Sequence, residues 1–143
     1  MVLTTGWRQR LPAWAPAVVF GLCLVPAGLT GFTLWQGLAA DPADYLTRQS
    51  GWWALALLLL TLLVRPLAHH LHWPALMRLR RQLGLWCFAY ALLHFCGYLL
   101  FILGLRFDRL WVDFRERPYI IVGLLSFVAL LALALTSNRY SQR

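Results

Sequence analysis

The stretch Arg80-Arg81-Gln82-Leu83-Gly84-Leu85-Trp86-Cys87-Phe88-Ala89-Tyr90-Ala91-Leu92-Leu93-His94 decides the fold. It opens on two adjacent cations and enters an apolar run that continues to about Leu105. An apolar segment of about 20 residues, rising 1.5 Å per residue, crosses the hydrocarbon core of a bilayer. One histidine, His94, falls near the middle of the run. An imidazole at that depth costs free energy unless something uses it, so His94 is the first candidate functional residue.

Apolar runs recur along the chain at approximately 11–35, 51–68, 83–105 and 118–135. The expected fold is therefore all-α: a polytopic membrane bundle of four transmembrane helices, forming one domain over 1–143. The first run could imitate a signal peptide, and Gly37-Leu38-Ala39 has cleavage-like small residues. It is longer than the roughly 7–15 residues of a signal-peptide core, so it reads as a span, with Pro26 a candidate kink. Asp41 to Ser50 reads as a loop carrying a short surface helix. Arg65 and Pro66 mark the exit of the second span. A basic, aromatic linker follows, with His69, His70, His72, Trp73, Arg78, Arg80 and Arg81. Pro118 opens the fourth span, where a missing N–H is no loss.

Composition agrees. The 143 residues are 61% hydrophobic, and the formal net charge of +8 comes from 13 arginines and no lysine. Mean hydropathy is +0.64. These values exclude an ordinary soluble domain. A basic balance often marks nucleic-acid binding. Here the arginines flank apolar spans, so the charge reads as topological and no nucleic acid is expected. Cys23, Cys87 and Cys96 all lie inside spans and form no CxxC pair, so they read as packing residues. Many tryptophans lie near span ends, as in an aromatic belt.

The arginines also give an orientation. The N-terminus, the linker after the second span and the C-terminus hold Arg8, Arg10, Arg65, Arg78, Arg80, Arg81, Arg139 and Arg143. The other two loops hold Arg48, Arg106, Arg109, Arg115 and Arg117, together with all five acidic residues. By the positive-inside rule both termini face the cytoplasm. The loop from Arg106 to Arg117 then faces the periplasm, where its alternating charges, Trp111 and Phe114 suit a docking face for a redox partner.

A membrane helix bundle can hold a cofactor between facing helices, and haem iron commonly takes axial histidine. His94 is placed either for that role or for an inter-helix hydrogen bond. His69, His70 and His72 lie at the membrane surface, on the order of 20 Å or more from His94 by helix rise. They suit a solvated or headgroup-facing role, or a separate metal site. Arg80 and Arg81 stand where a second haem-ligating histidine on the same helix would fall. They suit an anion instead: a haem propionate, a flavin phosphate or lipid headgroups.

The string from Arg80 to Tyr90 leading to His94 resembles the third helix of the MsrQ family, formerly YedZ. So do Ala40-Asp41-Pro42, Arg117-Pro118-Tyr119 with Gly123, and Leu130-Ala132-Leu133-Ala134 before Thr136-Ser137. MsrQ proteins are haem-binding membrane subunits of the bacterial periplasmic methionine sulfoxide reductase system, within the ferric-reductase-like transmembrane superfamily. The resemblance implies a multi-pass protein of the bacterial inner membrane. Such a subunit takes electrons from quinone, passes them through haem b, and delivers them to a periplasmic molybdopterin-containing reductase. It is not itself the catalytic subunit. The resemblance further implies FMN as an associated cofactor, and His94 as the metal-binding residue that matches the third-helix haem ligand. The family has six spans and further haem-ligating histidines in its fifth helix. This chain reads as the first four helices, a truncated product or a fragment. The competing readings are a membrane fragment holding no cofactor, and another ferric-reductase-like haem protein.

Overall fold

The computed structural model describes residues 12–104, 106, 115 and 118–136. Arg8, Arg10, most of the 106–117 loop and the C-terminal tail lie outside the described residues. Four α-helices make up the bundle: α1 Ala15–Trp35, α2 Pro42–His70, α3 Met77–Gly97 and α4 Tyr119–Thr136. A 3-10 turn, Pro74–Leu76, leads into α3, and a π-helical turn, Tyr98–Ile102, extends it. Three of these units are long and apolar enough to cross a membrane, and the fourth is a shorter apolar helix. The chain is thus an all-α membrane bundle of four helices.

Where the helices start differs from the sequence reading. Asp41 to Ser50 is not a loop with a separate surface helix; it is the first part of α2. The Asp41 carboxylate accepts hydrogen bonds from the backbone N–H of Ala43 (2.9 Å) and Asp44 (3.2 Å), and Pro42 occupies the first helical position. An N-cap aspartate followed by proline is a start signal that the polarity of the segment masks. In the same way α3 begins at Met77, before the apolar run. At 1.5 Å per residue α2 is about 43 Å long, against about 30 Å of hydrocarbon. Both of its ends therefore reach the headgroup zones.

The end of α2 is closed by the chain itself. Trp73 N–H donates to the Ala68 carbonyl (3.0 Å) and His72 N–H to the His69 carbonyl (3.2 Å), the bond pair of a Schellman motif. The left-handed position of that motif, ordinarily glycine, is His72 at φ 51°.

Antiparallel α2 and α3 share the most extensive interface. Small residues allow it. A Cβ on Gly97 would stand 2.9 Å from Thr47 Oγ1, and one on Gly84 3.9 Å from Thr61 Cγ2. Close approach through small residues is how helices associate where lipid competes equally for apolar surface. The hydroxyls on this seam turn inward: Thr47, Ser50 and Thr61 each donate to the carbonyl four residues earlier. These three hydroxyls are thereby paired within their own helix, whereas the indole N–H groups of Trp53 and Trp73 are buried without a partner. The Cys87 thiol, 1% exposed, donates to the Ala54 carbonyl at 3.4 Å. Cys23 is also buried and Cys96 is half-buried, and all three are free thiols.

Helix α1 is held by one residue of α3. Pro26 lacks an N–H and interrupts the ladder of α1. Next to it, Tyr90 Oη accepts from Ala27 N–H (3.0 Å) and donates to the Cys23 carbonyl (2.7 Å). An undistorted helix would bond those two groups to each other. Gln82 Nε2 donates to the Pro16 carbonyl at 2.8 Å, and the Phe20 and Trp86 rings meet edge to face. Helix α4 joins through Phe127, whose ring stacks on Phe95 at 4.7 Å and Phe88 at 6.0 Å.

Replacing Tyr90 by Phe keeps the ring and removes the bridge. The expected cost is about 1–3 kcal/mol, the usual penalty for buried polar groups left unpaired. It is read as a lower thermal midpoint in detergent with faster proteolysis within α1; an unchanged midpoint would show that Ala27 and Cys23 satisfy each other.

Candidate functional site

His94 reaches the seam where α3 faces the first third of α2. Its Nδ1 lies 2.7 Å from the Thr47 carbonyl oxygen. A carbonyl only accepts, so Nδ1 carries the hydrogen and donates. That fixes the tautomer and leaves the Nε2 lone pair unengaged by this bond. The contact depends on Gly51. A Cβ there would stand 2.8 Å from Nδ1 and 2.9 Å from Cε1 of His94. Any side chain at position 51 would push the ring off the Thr47 carbonyl.

The imidazole lines a cleft of about 660 Å³ between α2, α3 and α4. Thr47, Gly51 and Leu58 form one wall, Ala91, Phe95 and Tyr98 a second, and Tyr119, Gly123 and Phe127 a third. Among the described residues, no Arg, Asp or Glu lines it, and the only imidazole is His94. At its end α3 widens into the π turn, where Leu103 N–H donates to the Tyr98 carbonyl (2.9 Å). Single π turns inside helices occur frequently at functional sites. Here the turn contributes Tyr98, Leu99 and Ile102 to the cleft.

These residues fit a haem. Metal-ligating histidines characteristically donate their second ring nitrogen to a carbonyl or carboxylate, as His94 does. The walls are largely apolar and aromatic, and Nε2 of His94 is the nitrogen they would offer to a flat macrocycle.

The other sequence-predicted site residues lie elsewhere. Arg80 and Arg81 are exposed in the first turns of α3, about 20 Å along the axis from His94, and do not line its cleft. His69, His70 and His72 gather at the opposite end of α2. Among the described residues, no group of three or more His, Cys, Asp or Glu side chains is arranged to hold a metal ion. Thr47 and Gly51 were missed as site residues. Their signal in the sequence is slight: a glycine four residues beyond a threonine, at the start of an apolar run.

Residues 50–143 match the family model of the ferric reductase like transmembrane component. The chain is 50% identical over 108 residues to the protein-methionine-sulfoxide reductase heme-binding subunit MsrQ of Yersinia pseudotuberculosis serotype O:1b (strain IP 31758). The match covers 75% of this chain and 53% of that relative, so the chain spans about half the length of the curated relative it matches. No solved structure matches it. With its four-helix membrane fold and a family model covering more than half its length, the chain belongs to the ferric-reductase-like transmembrane family, and it is similar there to MsrQ.

Proposed function

We propose that the chain acts as an inner-membrane electron-transfer subunit. His94 is an axial ligand of haem b. Electrons enter from membrane quinone and leave to a periplasmic molybdopterin-containing methionine sulfoxide reductase. The observation that carries the haem assignment is the 2.7 Å bond from His94 Nδ1 to the Thr47 carbonyl, which presents Nε2 as the available ligand atom. Similarity to a protein named as a heme-binding subunit of protein-methionine-sulfoxide reductase supports the system to which it belongs.

When bound, the haem supplies reversible one-electron transfer. The chain's own residues supply the rest. The Thr47 carbonyl holds the imidazole tautomer and makes Nε2 more basic. The walls around Phe95 and Phe127 are apolar, and the low polarity of the cleft would tune the potential of an iron held there. The other three histidines lie at the far end of α2, so among the described residues His94 is the imidazole that would hold the iron. Arg80 and Arg81 suit an anion at the cytoplasmic surface, a lipid headgroup or the phosphate of FMN.

In a haem-loaded assembly, His94→Ala abolishes the reduced-minus-oxidised optical signal of this site; an unaltered spectrum rejects the ligand assignment. Gly51→Ala tests the close approach that seats the ring while leaving the imidazole itself in place. Alanine favours a helix interior over glycine by about 1 kcal/mol, yet it displaces the ring. Haem affinity is expected to fall roughly tenfold or more, the usual loss when the group orienting a metal ligand is disturbed. Gly28→Ala, where a Cβ meets nothing within 4 Å, leaves haem content unchanged.

Orientation is tested separately. Reporter fusions at Asp44 are expected to report the periplasm and fusions after Arg143 the cytoplasm. A periplasmic signal after Arg143 overturns the assigned orientation.

A further inference from the structure

We infer that the corner where α2 hands over to α3 is a binding site for the headgroup of an anionic phospholipid, held by Arg65, His69 and His72. An open groove of about 750 Å³ lies at this corner, lined by these three residues with His70, Pro74 and Met77. Its donors are grouped. The His69 and His72 rings stack 6.5 Å apart, and the His69 and His70 rings meet edge to face at 5.9 Å. All three imidazoles and the Arg65 side chain are exposed. They form no metal-holding group, so their shared chemistry is donation of N–H hydrogen bonds beside a guanidinium.

The backbone adds a second observation. His72 occupies the left-handed position of the Schellman motif, where a residue with a Cβ costs about 1–2 kcal/mol more than glycine. A strained residue at such a position motivates a functional reading. Here the strain places a third imidazole over His69 and into the groove. The same motif lessens an obstacle to anion binding: a helix C-terminus ordinarily repels anions, and here the Ala68 and His69 carbonyls are engaged by the Trp73 and His72 N–H groups.

Charge and depth identify the occupant. The sequence has no acidic residue between Asp44 and Asp108, so no carboxylate near in sequence neutralises Arg65. Asp41 and Asp44 stand toward the other end of α2, more than about 30 Å from Arg65 by helix rise. Because α2 exceeds the hydrocarbon thickness, its His70 end lies among headgroups. A phosphodiester with net negative charge is the anion found there at high concentration, and a planar guanidinium beside N–H donors matches its oxygens.

The test uses the full chain in neutral detergent, with short-chain phosphatidylglycerol, the matched phosphatidylcholine and inorganic phosphate as probes. Bound lipid is counted by native mass spectrometry, and the thermal midpoint is followed in parallel. Wild type is expected to retain phosphatidylglycerol about tenfold more tightly than phosphatidylcholine, a difference of about 1.4 kcal/mol. His72→Gly is expected to lower that preference severalfold while leaving the thermal midpoint equal or higher, since glycine relieves the left-handed strain. Arg65→Gln lowers the preference without the gain. Equal retention of the two lipids in wild type overturns the proposal, as does a His72→Gly/Arg65→Gln double variant that keeps the full preference. Displacement of phosphatidylglycerol by an equal concentration of inorganic phosphate identifies a free-phosphate site and overturns the lipid assignment.

Discussion

The contact between His94 and the bare backbone of Gly51 is the constraint on which the rest of the structure depends. The imidazole occupies space that any Cβ on α2 would take, and its Nδ1 lies within hydrogen-bonding distance of the Thr47 carbonyl. The seam on either side keeps the helices at the required separation. Thr47 against Gly97 and Thr61 against Gly84 are both pairs in which one partner has no side chain. Apolar burial contributes little to this in lipid, because hydrocarbon tails solvate leucine as well as a neighbouring helix does. Shape and satisfied polar groups decide the packing instead. That is why the seam carries glycine, alanine, serine and threonine, while most leucines of α1 and α2 turn outward and Leu57 is buried in the core.

The same requirement explains Tyr90. In water, the gap that Pro26 opens in α1 could be hydrated. In hydrocarbon the freed groups need a partner from the protein. One hydroxyl answers two of them, because it both donates and accepts. Helix α1 is thereby fixed to α3 by directional bonds at its break, by Gln82 near its start and by the Phe20–Trp86 contact between them. The outer face of α3 is thus committed to α1, which leaves its other face free to present His94 and Phe95 to the cleft.

Much of this was legible in the sequence. Four apolar runs gave the helices, because length and hydropathy fix a span before any packing is known. His94 stood out as a lone imidazole among apolar residues. The start of α2 was not legible by polarity, since Asp44, Arg48 and Gln49 read as loop residues. The Asp41-Pro42 cap, a local geometric signal, carried that information. Thr47 and Gly51 were hidden for a different reason. One acts through a main-chain carbonyl and the other through an absent side chain, and neither leaves a chemical mark in the sequence. The imidazole cluster was visible as residues, but the left-handed backbone that stacks His72 on His69 was not.

The position of His94 along α2 has a consequence for electron transfer. Spacing within its own run placed the imidazole near mid-membrane, yet its partners Thr47 and Gly51 belong to the first third of α2. Gly51 lies about 14 Å from the Asp41 end and nearly 30 Å from the His70 end by helix rise. The cleft is therefore displaced toward the end of the bundle where Asp41 and Asp44 lie. In the proposed orientation that end is periplasmic. A haem held there sits close to the side from which a periplasmic reductase would draw electrons, and far from the basic groove. Two polar features then fall at opposite ends of α2: the His94 cleft toward the Asp41 and Asp44 end, and the cationic groove at the His70 end. The 29 residues of α2 set that separation, because one continuous helix carries Thr47 and Gly51 at one end and Arg65 and His69 at the other.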